Sequence, residues 1–539
     1  MHRIDDCTSS AYDVAIIGGA LSGAATAFQL LQRAPELRVV IVEKSEQFSR
    51  RVGESTVEIS SYFLGRVLGL TAHLNEKHFV KQGLRYWFYN DRATTLGECS
   101  EIGSKFNVRL PAYQLDRAVL DEEVLRRAVA AGAELRRPAQ VVGKVELNAG
   151  GEQKFVVRDA ASGKEETLRA RWVVDASGVA ALLARQNGWW QANTEHPTTA
   201  VWSRWRGVKD WDGLELMGRY PEWTKSCYGL RSMATNHLMG DGWWSWWIPL
   251  KGGDVSIGVT FDQRLVDFPK EGSVGERLKA FLCRHPIGRE LLENATWQEG
   301  DVHLRRNLPY YSNTQVGDGF SLVGDASAFI DPFYSPGIDW IAYTTYSTAA
   351  LIAAERRGEI DPAKHPAHRP LAERLEKQQR DFNRSHRRWF DAVYRDKYEY
   401  FGDYELTQLA FLFDLGLYYL GVASQPYKLG SAALTRPVFS DPPSVPVYHF
   451  MRTYNRRFAQ MARVRRARGT LGAQNAGRRF LFGGFTFSPG SAKPLCKALA
   501  QWGWLELTEG WRSWWQPARQ LQVASTTAES PVAQVVTAN

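Results

Sequence analysis

The eleven residues DVAIIGGALSG, Asp13 to Gly23, constrain the fold of this chain more than any other stretch. A short apolar run from Asp13 to Ile17 meets Gly18-Gly19-Ala20-Leu21-Ser22-Gly23, and small residues at helical spacing follow through Gln32. A second apolar run, Val39 to Val42, ends in Glu43, twenty residues beyond Gly23. Strand, glycine turn, helix, strand and acid in that order suit a dinucleotide. The glycines let backbone approach a pyrophosphate at a helix N-terminus, and the acid accepts from ribose hydroxyls. The middle glycine of the pattern is Ala20, whose methyl stands where the phosphate comes nearest. The pattern occurs once, so a second nucleotide either binds without a motif or does not bind. The apolar run from Tyr12 to Leu30 is broken by these glycines and lacks a basic leader, so it reads as strand, turn and helix rather than signal peptide or membrane span.

A chain of 539 residues, 44% hydrophobic, divides into two or three units. The expected division is a first dinucleotide-binding part (1–190), an antiparallel β substrate domain (191–300), a return segment (301–357), a helical C-terminal region (358–520) and a disordered tail (521–539). Five widely spaced cysteines, without CxxC or HExxH, argue against a disulfide framework and against a zinc site, and suit a reducing cytoplasm. No metal ligand set is expected.

The net charge of +9 is concentrated in residues 451–479, which hold nine arginines and no acid. Two readings stay open: a solvated helix face, or a dock for an acidic carrier protein or an anionic membrane surface. Nothing suggests a nucleic-acid-binding motif. The twenty tryptophans are many for this length, and some are expected to line a cavity.

Residues 109–136 read as a helix with a glycine stop at Gly132, then a strand. Strands are expected at 154–158 and 167–175, the latter ending in Asp175-Ala176-Ser177-Gly178, and an antiparallel sheet across 199–262. Ser321 to Val323 forms a strand running into GDASAFIDPFYSPGID, and a helix starts near Trp340.

Four motifs together carry a resemblance. The N-terminal fingerprint with Glu43, Val52-Gly53-Glu54-Ser55, Asp175-Ala176-Ser177-Gly178 and Val323-Gly324-Asp325-Ala326 resemble the FAD-binding flavoprotein monooxygenase fold, an α/β fold with a single Rossmann unit. Within it, Trp244-Ser245-Trp246-Trp247-Ile248-Pro249 is similar to the W-x-W-x-I-P motif of the flavin-dependent halogenases. Phe329 to Gly337 is similar to that family's F-x-x-P-x-x-S-x-G. The resemblance covers roughly residues 12 to 355.

What the resemblance implies is specific. FAD is held by Gly18, Ala20, Gly23, Glu43, Glu54, Arg117, Gly324, Asp325 and Gly337, and a separate flavin reductase supplies it reduced. Reduced FAD and dioxygen give a C4a-hydroperoxide, halide attacks its distal oxygen, and hypohalous acid travels to a lysine beside the substrate. Lys81, in Phe79 to Tyr86, is the candidate and Lys77 the lesser one; either function requires a lowered pKa. The tryptophan motif is either core or a screen between flavin and substrate.

Backbone amides after Ser335 would bind halide, through Gly337 and Ile338. Two departures matter. Tryptophan halogenases carry a glutamate, the ring-proton base, where this chain has Tyr334, which redirects the expectation to phenol or pyrrole rings, free or carrier-bound. Pro336 has no N–H to offer an anion. Two alternatives therefore stay open: a monooxygenase or dehydrogenase that uses no halide, and a flavin-binding protein without turnover.

Overall fold

The structure, a computed structural model, describes residues 10 to 514 except Pro111, Tyr228 and 484–491; the polar tail from Leu521 lies outside the described residues. The strand Ser10–Ile17 runs parallel to Val39–Val42 on one side and to Glu165–Asp175 on the other. Glu134–Arg136 and Phe320–Leu322 extend this sheet, also in parallel. With the first strand in the middle, the order is that of a doubly wound nucleotide-binding sheet. The register Val42, Ile17, Asp175, Leu322 aligns the carboxyl ends of four strands, which gathers Glu43, Gly18, Ala176 and Gly324 at one edge. Strands Ala139–Glu146 and Gln153–Asp159 form an antiparallel hairpin on its flank.

The second sheet has nine strands and is mostly antiparallel. Thr198–Arg206, Val255–Asp262, Trp243–Pro249 and Thr235–Gly240 follow one another in it. The expected boundary at residue 190 does not respect this sheet. Leu84–Phe88 and Ser100–Ser104 belong to it, as does Arg479–Phe482 from the region expected to be helical. Val-, Ile- and aromatic-rich strands buried on both faces pair wherever an edge is open, regardless of chain order.

Two helix boundaries differ from the sequence expectation. The helix drawn over 109–136 begins at Arg117, because Asp116 caps it by accepting the Ala118 N–H. The preceding Ala112–Gln114 is a strand paired with Phe79–Lys81. The helix placed at Trp340 begins at Pro336 and runs to Arg356, since a proline at the first helical position loses no hydrogen bond.

The C-terminal helices Leu371–Trp389, Tyr404–Leu417, Ser424–Leu429 and Val445–Ala467 pack over the junction of the two sheets. Two of them continue as single wide turns of π-helix, Phe390–Tyr394 and Tyr418–Ala423. Tyr404–Leu429 is long and apolar enough to cross a bilayer, but 61% of its apolar window is buried inside the protein.

Four of the nine arginines in the segment 451–479 are tied to acids of the same chain. Arg465 is buried among Asp403, Glu405 and Glu509. Arg457 pairs with Glu506, Arg463 with Glu399, and Arg466 with Asp241 and Glu399.

Candidate active site

The dinucleotide turn is built by steric necessity. A Cβ on Gly23 would lie 1.8 Å from the Gly18 carbonyl oxygen, so only glycine lets the helix Leu21–Arg33 approach the first strand. Gly324 has a φ of +57°, and a Cβ there would lie 2.5 Å from Ser22 Oγ, so the return loop closes directly over the turn. Ala20 sits at the helix N-cap, partly exposed to the cleft. Glu43 accepts the Gly19 N–H through Oε2 and the Ser45 N–H through Oε1, both at 2.7 Å, which fixes the acid beside the turn. Arg117 is held by Asp121 at 3.0 Å and also donates to the Val52 carbonyl. Asp325 is half-buried; desolvation raises its pKa, against the pull of Arg117 and Arg305. The cradle is shaped for a dinucleotide that brings its own charge.

Beyond the cleft lies a cavity of about 170 Å³, walled by Glu54, Ser55, Trp244, Trp246, Asp325 and the loop Ser335 to Ile338. Glu54 is gripped by Arg204 at 2.8 Å, yet burial dominates and pushes its carboxyl up to about 6. Tyr334 and Ser335 both take left-handed backbone, φ +66° and +55°, which turns the chain sharply into the helix at Pro336. The Ser335 N–H is spent on the Pro332 carbonyl at 3.0 Å. The amides of Gly337 and Ile338 then stand in the first turn of a 21-residue helix, and no atom lies within 4 Å of where a Gly337 Cβ would be.

A second cavity, about 160 Å³ and mostly apolar, is lined by Tyr334, whereas Pro332 and Ser335 of the same loop line the first. Lys81 faces the second cavity from the last position of its short strand and is only 2% exposed. Its Nζ donates to Thr56 O at 2.7 Å and to Ser55 Oγ at 2.8 Å. Burial lowers its pKa to about 8, with Glu58 and Asp339 pulling the other way. Lys77, the lesser candidate, is half-exposed and paired with its neighbour Glu76 at 2.7 Å, away from both cavities. The structure therefore separates the two lysines cleanly.

Three carboxyl groups line this second cavity. Asp339 accepts from Ser60 Oγ at 2.5 Å, and burial raises its pKa to about 8. Asp414 is saturated: Tyr334 OH at 2.8 Å and Lys397 Nζ at 2.5 Å share one oxygen, and Tyr454 OH takes the other. Glu58 accepts the Tyr419 hydroxyl, while the Tyr418 hydroxyl accepts the Ile59 N–H at 3.2 Å. Both tyrosines come from the π-turn Tyr418–Ala423.

The screen between the cavities is aromatic. Phe333 packs against Trp244 with ring centroids 5.1 Å apart and against Phe401 at 4.6 Å. Trp244 donates its indole N–H to Tyr398 OH at 2.9 Å, and the Phe333 carbonyl accepts from Tyr394 OH at 3.0 Å. Trp244 and Trp246 point to the first cavity, while Trp243 and Trp247 fill a separate core on the other face.

Sequence reasoning missed Glu58, Asp339, Asp414, Lys397 and Arg204. Glu58 lies four residues past the Glu54 motif and Asp339 two past Gly337, so proximity to recognised motifs was the available signal. Asp414 and Lys397 sit in helical sequence with no local mark.

A family model for an FAD binding domain matches residues 11–208. Flavin-dependent halogenase chlA of Dictyostelium discoideum is 27% identical over 365 residues, spanning 61% of this chain and 58% of that one. Monodechloroaminopyrrolnitrin halogenase PrnC of Pseudomonas fluorescens is 25% identical over 414 residues, 70% of this chain and 67% of that one. The crystal structure of halogenase PltM overlays with a TM-score of 0.67 at 21% identity, covering 91% of this chain and 96% of that one, a likeness of fold. With the dinucleotide cradle, the tryptophan motif and the buried lysine on one scaffold, this FAD-binding chain is similar to the flavin-dependent halogenases, and it spans less than two thirds of the length of the first of these relatives.

Proposed function

We propose that the protein halogenates an electron-rich aromatic ring, with the two cavities dividing the work. The observation that carries this reading is their junction: Ser55 lines the first cavity, Lys81 lines the second, and the two side chains are hydrogen-bonded through the screen. Reduced FAD, when bound, would activate dioxygen, and dioxygen is the oxidant that converts halide into hypohalous acid. Every other role falls to this chain.

Gly337 and Ile338 present the two amides that remain for halide after Pro336 has removed one and Pro332 has engaged that of Ser335. Phe333 and Trp244 keep the ring from the flavin, so that only a small oxidant passes. Lys81, with its pKa near 8, holds a neutral fraction at physiological pH that can attack hypohalous acid. The N–halogen bond forms as the O–halogen bond breaks, and water leaves with an amine proton.

Apolar walls and tyrosines around the second cavity suit an uncharged phenol or pyrrole. A separate flavin reductase supplies the reduced cofactor. Of the arginine segment, Arg452, Arg456, Arg468, Arg478 and Arg479 are exposed and make no ion pair among the described residues, so these five are left to favour an acidic carrier or an anionic membrane surface. The four free cysteines among the described residues suit work in the cytoplasm.

The test is turnover with a flavin reductase, FAD, oxygen and chloride or bromide, followed by mass spectrometry of the aromatic product. Pro336 favours one second reading, oxygen insertion without halide. Oxygenated product formed equally with and without halide selects it.

A further inference from the structure

Electrophilic substitution leaves one problem that the position of Tyr334 raises. The ring carbon that receives halogen must lose its proton, and the residue before Ser335 is a tyrosine rather than a carboxylate. The phenol of Tyr334 is a donor to Asp414, and burial with that neighbour raises its pKa far above the ordinary value, so it accepts no proton from a ring. A base must therefore come from another element. It must also stand beside the halogen donor, because the halogen arrives at, and the proton leaves from, the same carbon.

Each of the three carboxyl groups lining the cavity can be judged by its partners. Asp414 has both oxygens engaged, one by Tyr454 and the other by Tyr334 and Lys397. Asp339 is fully buried, bonded to Ser60, and holds its own proton at neutral pH. Glu58 differs from both. It is half-buried, its Oε1 accepts the Tyr419 hydroxyl, and no described residue engages Oε2. It begins the helix Glu58–Tyr62, two residues after Thr56, whose carbonyl takes the Lys81 ammonium at 2.7 Å. Its charge is also the largest carboxylate influence on Lys81.

We propose that Glu58 is the catalytic base that takes the ring proton, so that in this chain the base sits on the helix after the Glu54 loop rather than in the loop before Ser335. The proposal rests on the halogenating function above. The step balances without a further reagent. A ring π pair forms the carbon–halogen bond, the N–halogen pair returns to Lys81 Nζ, and Glu58 Oε2 takes the ring proton and passes one to Nζ, which restores the neutral amine and the carboxylate. The C–H pair restores the aromatic ring. Tyr419 is a positioning residue, which fixes the carboxylate through its other oxygen.

The experiment compares the full chain with Glu58→Gln and Glu58→Asp, using reductase, FAD, bromide and a panel of phenols and pyrroles in protonated and ring-deuterated form. Expected for the wild type is halogenated product with an isotope effect at unity, because proton loss is fast. Expected for Glu58→Gln is a fall in kcat of about a hundredfold or more, a primary isotope effect above unity, and unchanged FAD binding. Glu58→Asp, which keeps the carboxylate, recovers part of the rate and lowers the isotope effect. Wild-type kcat with no isotope effect in Glu58→Gln overturns the proposal and leaves the function standing. A wild type that halogenates no panel member overturns both.

Discussion

Lys81 and Ser55 share a single hydrogen bond, Nζ to Oγ at 2.8 Å, yet they face different cavities. Ser55 is itself tied to Thr235 Oγ1 at 3.2 Å, and the bridge Ser55 to Gln114 anchors it to the ribbon that carries Lys81. The two cavities are thus joined at one rigidly held hydrogen bond. Geometry of this kind keeps a diffusible intermediate from being released.

Product formation should rise with pH. Lys81 titrates near 8, so about a tenth is neutral at pH 7 and about nine-tenths at pH 9, a roughly tenfold gain if the free amine is the nucleophile. Rates measured at saturating reduced flavin decide it, and a rate that falls over this range means the ammonium acts by hydrogen bonding instead. Lys81→Met should abolish halogenated product while FAD still binds.

Stability should respond to Asp339 with the opposite slope from an ordinary carboxylate. Its folded pKa is raised to about 8 from 3.8, so its stabilising contribution is complete below 3.8 and is lost as pH rises towards 8. Asp339→Asn, which mimics the protonated form, should match wild type at pH 4 and exceed it by on the order of 4 kcal/mol at pH 7. Denaturant titrations at both pH values read the difference.

Opening the screen should uncouple the reaction. Phe333→Ala removes a buried ring that touches Trp244 and Phe401, at a stability loss of about 3–5 kcal/mol. Hypohalous acid should then escape, detected by a soluble scavenger that stays unreacted with the wild type. Undiminished coupling in the variant assigns the screen to Trp244 and Trp246 alone.

Pro336→Ala returns an N–H to the first turn of the helix. A charge-assisted hydrogen bond of about 1.5–3 kcal/mol should lower the halide concentration giving half-maximal rate by about tenfold or more. An unchanged halide dependence places the anion elsewhere.

Arg465→Leu should destabilise the protein by about 3–5 kcal/mol, since Asp403 is left buried without its partner. Reversing the exposed Arg452 and Arg456 to Glu should leave the melting temperature within a degree or two of wild type. A large loss from the exposed pair would make them structural as well.

The nucleotide half of the fold was legible because its chemistry is local: Gly18, Gly23 and Glu43 act within one strand–turn–helix unit, and their spacing alone states the geometry. Lys81 was legible through its neighbourhood to the Glu54 motif, though its burial was not, because that depends on Thr56, Ser55 and a ribbon closed by Ala112. The substrate cavity was not legible. Tyr334, Asp414 and Lys397 meet across 80 and 17 residues of sequence, and contacts so distant leave no periodicity to read. The arginine segment was legible only as a charge. A count of charges cannot show that Glu399, Asp403 and Glu509 lie opposite them.

The wide turn at Tyr418–Ala423 has an evolutionary consequence. A π-turn is one residue more than an α-helix requires, so losing a single residue there would restore α-helical register and rotate everything on one side by roughly 100°. Tyr418, Tyr419 and Val422, all lining the second cavity, would swing away together. Ring selectivity in such a scaffold is open to change by insertion and deletion within one helix, a route that a survey of point substitutions would never sample.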